Sequence, residues 1–150
     1  MGTVTRTLYA VEDANRVLPL VRSIVKDVVD DFRRLRTTGR ERRALEVELG
    51  TDEGRASAGR RLEELKDLVC RYSQRIEGYL EELADLGLEV RDLELGLVDF
   101  PTLIEGEPAY LSWRLGEDGV KWWHAVDKGF TDRTPVPDTR LAPTPPPLRQ

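Results

Sequence analysis

The chain is 150 residues long, 39% hydrophobic and 34% charged, with a net charge of −5 and a pI near 5.1. This is one domain's worth of sequence, able to bury roughly two thirds of the surface its unfolded chain exposes, and its acidity argues against a general nucleic-acid binder, which needs a basic footprint. The lone cysteine, Cys70, excludes an internal disulfide, and no run approaches the roughly 18–20 apolar residues of a membrane span. The first ten residues, MGTVTRTLYA, lack the basic and apolar regions of a secretory leader, so the expectation is a cytoplasmic protein with no membrane and no nucleic-acid partner.

From residue 11 to residue 36 the apolar positions keep a helical rhythm. Ala14, Leu18, Val21, Val25, Val28, Phe32 and Leu35 are spaced alternately by four and three, an unbroken heptad seam. Residues 61–86 carry a second one: Leu62, Leu65, Val69, Tyr72, Ile76, Tyr79, Leu83 and Leu86. Two helices of matching length predict an antiparallel, coiled-coil-like hairpin with the seams facing each other. The first helix has an extra stripe, Val17, Leu20 and Ile24, which needs a cover from the rest of the chain or from another subunit. Pro19 falls inside this half and predicts a kink. The connector at 37–60 is rich in charge and punctuated by Gly39, Gly50, Gly54 and Gly59. Gly39 is expected to end the first helix and the connector to be mobile, with a short helix inside RERRALEVEL.

After Leu86 and Gly87, which read as a helix C-cap, the period changes to two. Leu88, Val90, Leu93, Leu95 and Leu97 alternate with polar neighbours, with phase slips that predict a bulged strand or two short strands with a bend, stopped by Pro101. Next comes a hairpin signal. Ala109, Leu111, Trp113 and Leu115 share one strand face, and Val120, Trp122, His124 and Val126 share a face of the next strand. Asp118-Gly119 between them predicts a type I′ turn. That turn places Trp113 opposite His124 and Arg114 opposite Trp123. A four-residue turn changes the partners and keeps the faces. Trp113, Trp122 and His124 are therefore expected to point inward together, and a histidine in that position is either a core residue or a ligand. From Thr134 the chain carries six of its nine prolines and reads as a disordered, polyproline-like tail.

The expected fold is thus α+β. Residues 1–87 form the helical hairpin with its connector at 37–60, residues 88–133 form a small antiparallel β module packed on it, and residues 134–150 form the Pro-rich tail. The chemistry on offer is sparse. No phosphate-binding glycine loop and no CxxC pair occurs, and one histidine with one cysteine cannot build a His-rich or Cys-rich zinc site. What remains is an acidic group: Asp92, Glu94, Asp99, Glu117, Asp118 and Asp127. The metal-ligand candidates are Asp92, Glu94, Asp99, Glu117 and His124, and the residues favour no cofactor beyond a divalent cation such as Mn²⁺, Mg²⁺ or Fe²⁺.

Two blocks, LYAVEDANRVLPLV near the start and GLEVRDLELGLVDFPTLIEGEPAYLSWRLGEDGVKWWHAVDKGFTDRTPV later, resemble the prokaryotic and plastid family known as domain of unknown function 2203. The resemblance covers nearly the whole chain up to Pro137. It implies that Asn15, Leu18 and Pro19 match the motif opening the first helix. It places Asp92, Glu94, Gly96, Asp99, Phe100 and Pro101 in a central motif, and Trp113, Gly116, Glu117, Trp123, His124, Gly129, Phe130 and Arg133 in a closing one. Ser112 stands where the family pattern leads one to expect Cys, which counts against thiol chemistry beside Trp113, and Ala10 where a Thr cap is usual. The resemblance singles out Trp113, Trp123 and Arg133 beside the acids and His124, and it names no reaction. The expected function is a non-catalytic, self-associating assembly or adaptor protein, with a homo-oligomer contact through the N-terminal half of the first helix and a protein partner on the β module. The alternative is a divalent-metal-dependent enzyme or small-molecule binder using the acid/His group.

Overall fold

The structure, a computed structural model, describes residues 7–49 and 55–137. Helices α1 (Val11–Glu48) and α2 (Arg55–Asp85) precede five strands: β1 (Glu89–Asp92), β2 (Leu97–Ile104), β3 (Glu107–Arg114), β4 (Trp122–Ala125) and β5 (Thr134–Pro135). The strands form one antiparallel sheet in sequence order. The α+β architecture expected from the periodicity is present.

The first seam is buried from Ala14 to Val28, and the second at Leu62, Leu65, Ile76 and Leu83. The helices run antiparallel: Arg61 pairs with Glu41 at 3.1 Å, and Arg75 with Asp31 at 3.0 Å. Asp31 is a fully buried carboxylate, and Arg34 also reaches it at 2.7 Å. The connector differs from expectation. Gly39 does not end α1, which continues to Glu48, and α2 already begins at Arg55. Arg, Glu, Ala and Leu are strong helix formers, and together they outweigh the roughly 1 kcal/mol that one glycine costs. Ion pairs Arg42–Glu46 and Arg61–Glu41 add to them. Residues 50–54 of the expected mobile connector lie outside the described residues. Pro19 sits within α1 on its exposed side without ending the helix.

Helix α2 ends as its sequence promised. Gly87 has a φ of +80°, the Leu88 amide donates to Leu83 O and the Gly87 amide to Ala84 O, both at 2.9 Å. These two bonds make a Schellman motif, which turns the chain directly into the sheet. One face of the sheet closes over the N-terminal half of α1. Val21, Ile24, Val25, Val28 and Val29 share a single core cluster with Val98, Phe100, Leu111, Trp113 and Val120. The extra stripe of α1 is therefore covered within the chain at Ile24 and partly at Val17, while Leu20 stays 54% exposed.

Strands β1 and β2 are the two short strands with a bend, but Pro101 does not stop β2. It pairs with Tyr110 in the β2–β3 ladder, and its carbonyl accepts the Tyr9 amide at 2.8 Å. In an antiparallel strand a residue's N–H and C=O point to the same side, so the amide hydrogen that Pro101 lacks would point away from β3, and no β2–β3 bond is lost. The tight hairpin of the molecule is β2–β3. Ile104 pairs with Glu107 across Glu105-Gly106, both at positive φ, as a type I′ turn requires.

Between β3 and β4 lie seven residues, 115–121, in place of the tight Asp-Gly turn. His124 consequently pairs with Tyr110, Trp123 with Leu111 and Trp122 with Ser112. The expected partner of His124 was Trp113, three residues away, and an odd displacement inverts a strand's two faces. Trp123 thus joins the core beside Leu111, whereas Trp122 and His124 point to the opposite, outer face. The loop holds this shape through specific contacts. Gly116 takes a φ of +107°, Trp113 Nε1 donates to Glu117 O at 3.1 Å, and Asn15 of α1 clamps Val120, accepting its N–H at 2.8 Å and donating to its carbonyl at 3.3 Å. The expected Arg114–Trp123 stacking does not form.

The first residues of the expected tail belong to the sheet. Thr134 and Pro135 pair with Trp123 and Trp122 as an edge strand, where a proline is tolerated, and the Val136 amide reaches Lys121 O. Residues 138–150 lie outside the described residues. Among those described, no helix is long and apolar enough to cross a membrane.

Candidate functional site

The inverted register gives the outer face of the sheet a buried polar group. Asp99 lies on β2 between Val98 and Phe100, which point into the core, so its own side chain points outward. It is nevertheless only 3% exposed, and His124 only 4%. A buried carboxylate requires partners, and Asp99 has two. Arg91 Nε donates to Oδ2 at 2.7 Å, and His124 Nε2 stands 3.0 Å from Oδ1. Arg91 extends the chain of charges to Glu89 at 3.1 Å and lies 5.1 Å above the Tyr110 ring. Burial works against the Arg91 charge, but the bond it donates to Asp99 and the charges of Asp99 and Glu89 outweigh it and hold its pKa above the ordinary value.

The imidazole is engaged at both ends. Its Nδ1 lies 2.8 Å from the Ala125 carbonyl, which can only accept, so Nδ1 carries a proton. Its Nε2 faces Asp99. A histidine acting as metal ligand or general base must present one ring nitrogen to an outside atom, and here both nitrogens face groups of the chain. The outer face beside this pair encloses a cavity of about 200 Å³, whose lining includes Arg91, Asp99, Ser112, His124, Lys128 and Phe130.

A second polar cluster sits at the loop after β3. Both terminal guanidinium nitrogens of Arg133, Nη1 and Nη2, donate to the Glu117 carboxylate, one at 3.0 Å and the other closer, and Glu117 Oε1 also accepts the Arg114 amide at 2.8 Å. The guanidinium lies over Phe130 at 4.1 Å and Trp122 at 4.9 Å, a combination of forked ion pair and stacking that suits arginine better than lysine. Burial pushes the Glu117 carboxyl up, but the Arg133 bond, the Arg114 amide and the two arginine charges outweigh it and hold the group below its ordinary value.

The five metal-ligand candidates do not converge. Asp99 and His124 meet, whereas Glu117 is held by Arg133. Asp92 Oδ1 accepts the Glu94 and Leu95 amides at 2.9 Å and shapes the β1–β2 turn. Glu94 pairs with Arg36 of α1 at 2.8 Å. Among the described residues no group of three His, Cys, Asp or Glu side chains is placed to hold a metal ion. Trp113 is fully buried in the core and Trp123 is packed against it. Sequence reasoning missed Arg91, the closest partner of Asp99, and Asn15 as the clamp on Val120. Arg91 left a faint signal: Glu89 and Arg91 flank the inward Val90, which puts both on the outer face with Asp99.

Comparison with known proteins gives one match. The family described as "Uncharacterized conserved protein (DUF2203)" matches residues 7–136. No curated protein and no solved structure matches the chain.

Proposed function

The chain belongs to the family named domain of unknown function 2203, and we propose that it is a non-catalytic, self-associating assembly or adaptor protein of the cytoplasm. One observation carries this reading. The side chains best suited to chemistry are spent inside the chain: His124 on Asp99 and Ala125, Asp99 also on Arg91, Glu117 on Arg133, Glu94 on Arg36 and Asp92 on its own turn. Catalysis needs a base, nucleophile or metal directed at an outside molecule.

For self-association the candidate contact is Leu20, left exposed on the N-terminal half of α1 after the sheet has covered Ile24. Half-buried Val17 lies one turn away, and no charged residue separates Leu18, Pro19, Leu20 and Val21. Light scattering of the full chain tests it. The wild type is expected to be a dimer or larger, and Leu20→Glu a folded monomer. A wild type that is monomeric at high concentration would sink the self-association.

A divalent-metal-dependent enzyme or binder is the second reading, and it rests on Asp99 and His124 meeting beside a cavity. Calorimetric titration with Mn²⁺, Zn²⁺ and Mg²⁺ decides it: saturable heat that disappears in His124→Phe would favour this alternative.

A further inference from the structure

Most polar groups around the outer-face cavity are spent on one another. Asp99 takes Arg91 and His124, His124 takes Asp99 and Ala125 O, and Arg91 takes Asp99 and Glu89. Ser112 is a buried exception. It lies on β3 directly opposite Asp99 on one side and Trp122 on the other, and it is 2% exposed. Its hydroxyl makes no hydrogen bond to any other described residue. It is not sealed in either, because the only buried side-chain polar atom without a hydrogen bond among the described residues belongs to Asp31. The Ser112 hydroxyl therefore opens onto the cavity it lines. A hydroxyl in such a place is one donor and two acceptors that only a cavity occupant can satisfy.

Charge and shape narrow the occupant. The Arg91 charge is matched by Asp99 and Glu89. Lys128, also on the lining, has no ion-pair partner among the described residues, and it is exposed. Lys128 is thus the one cation of the lining that no described carboxylate holds. Leu97, Val126 and Phe130 give the same cavity apolar walls. A volume of about 200 Å³ is below the range of roughly 300–1,000 Å³ usual for drug-sized ligands.

We propose that this cavity is a binding site for a small organic monocarboxylate, its carboxylate received by the Ser112 hydroxyl and the Lys128 ammonium and its short apolar body lying against Leu97 and Phe130. The ligand's charge meets the ammonium that no described carboxylate holds, and the hydroxyl supplies a donor where the chain has left it idle. Asp99, its two oxygens engaged by Arg91 and His124, forms the fixed floor. The site is independent of self-association through Leu20, whose outcome is read by particle size.

The test is protein-observed NMR on the full chain, titrated separately with butyrate, benzoate and inorganic phosphate. The expected result is saturable movement of the Ser112, His124 and Gly129 amide signals with butyrate or benzoate, while the Trp113 indole signal on the core side stays in place. Ser112→Ala and Lys128→Gln should each weaken carboxylate binding about tenfold or more, since each removes a hydrogen bond to a charged group, with unchanged thermal midpoints. Absence of saturation with either carboxylate overturns the proposal, as does wild-type affinity in both variants. Phosphate binding as tight as the carboxylates, and lost in the same variants, would make this an inorganic-anion site and overturn the assignment of the ligand.

Discussion

His124→Phe keeps an aromatic ring in the space of the imidazole and removes its two polar contacts. The cost depends on what those contacts leave behind. The Ala125 carbonyl still receives the Lys128 amide at 3.0 Å, so its loss is small. Asp99 Oδ1 loses its only side-chain partner in a position where the carboxylate is 4% exposed, while Oδ2 keeps Arg91. A buried acceptor left unpaired costs about 1–3 kcal/mol, and a half-broken buried ion pair about 3–5 kcal/mol, so with Arg91 still in place we expect about 2–4 kcal/mol. Asp99→Asn removes the stranded charge in advance. In that background His124→Phe should cost about 1 kcal/mol or less, which makes the coupling between the two sites about 1–3 kcal/mol. Urea unfolding of the four proteins at neutral pH, with equal m-values as the check on compactness, measures it. Additivity within about 0.5 kcal/mol would refute the reasoning, and so would a wild-type cost for His124→Phe below about 1 kcal/mol, the result expected if the ring only fills space.

Glycines give two opposite expectations. A Cβ on Gly96 would stand 2.8 Å from Leu115 Cβ and about 3 Å from Val25 and Val29, at a φ of +71°; Gly96→Ala should cost about 2–5 kcal/mol from left-handed strain and overpacking combined. Gly78, in the interior of α2 with nothing within 4 Å, should instead give about 0.5–1 kcal/mol of added stability as alanine, and a loss in the same urea assay would mean that a neighbour occupies that space. The Glu117 carboxyl sits below its ordinary value of 4.5, so its ionised form contributes stability above that pH and the contribution fades as pH falls through the lower, folded value. The penalty of Glu117→Gln should accordingly be larger at pH 7 than at pH 3; a penalty that grows in acid contradicts the Arg133 pairing. Glu105 occupies the first central position of the type I′ turn at a φ of +52°, and Glu105→Asn should raise the thermal midpoint by a few degrees, about 0.5–1 kcal/mol.

The features legible in the sequence were those encoded by neighbours along the chain. Heptad spacing located the buried face of α1 from Ala14 to Val28 and that of α2 at Leu62, Leu65, Ile76 and Leu83, because helical phase depends only on separation along one element. The Gly87 cap was readable because its two hydrogen bonds close within six residues. Burial of Ile24 followed from the width of the apolar stripe, although the stripe could not say whether the sheet or a second subunit supplies the cover. The side of the sheet taken by His124 was not readable. It depends on whether the β3–β4 offset is even or odd, and that offset is set by a loop anchored on Asn15, 105 positions from Val120 in sequence, and on Arg133 through Glu117. Asp118-Gly119 favours a tight turn locally; the long-range clamps and the burial of Val120 override it. Because a strand's side chains alternate, that one decision moved His124 from the core to the outer face and into contact with Asp99 and Arg91.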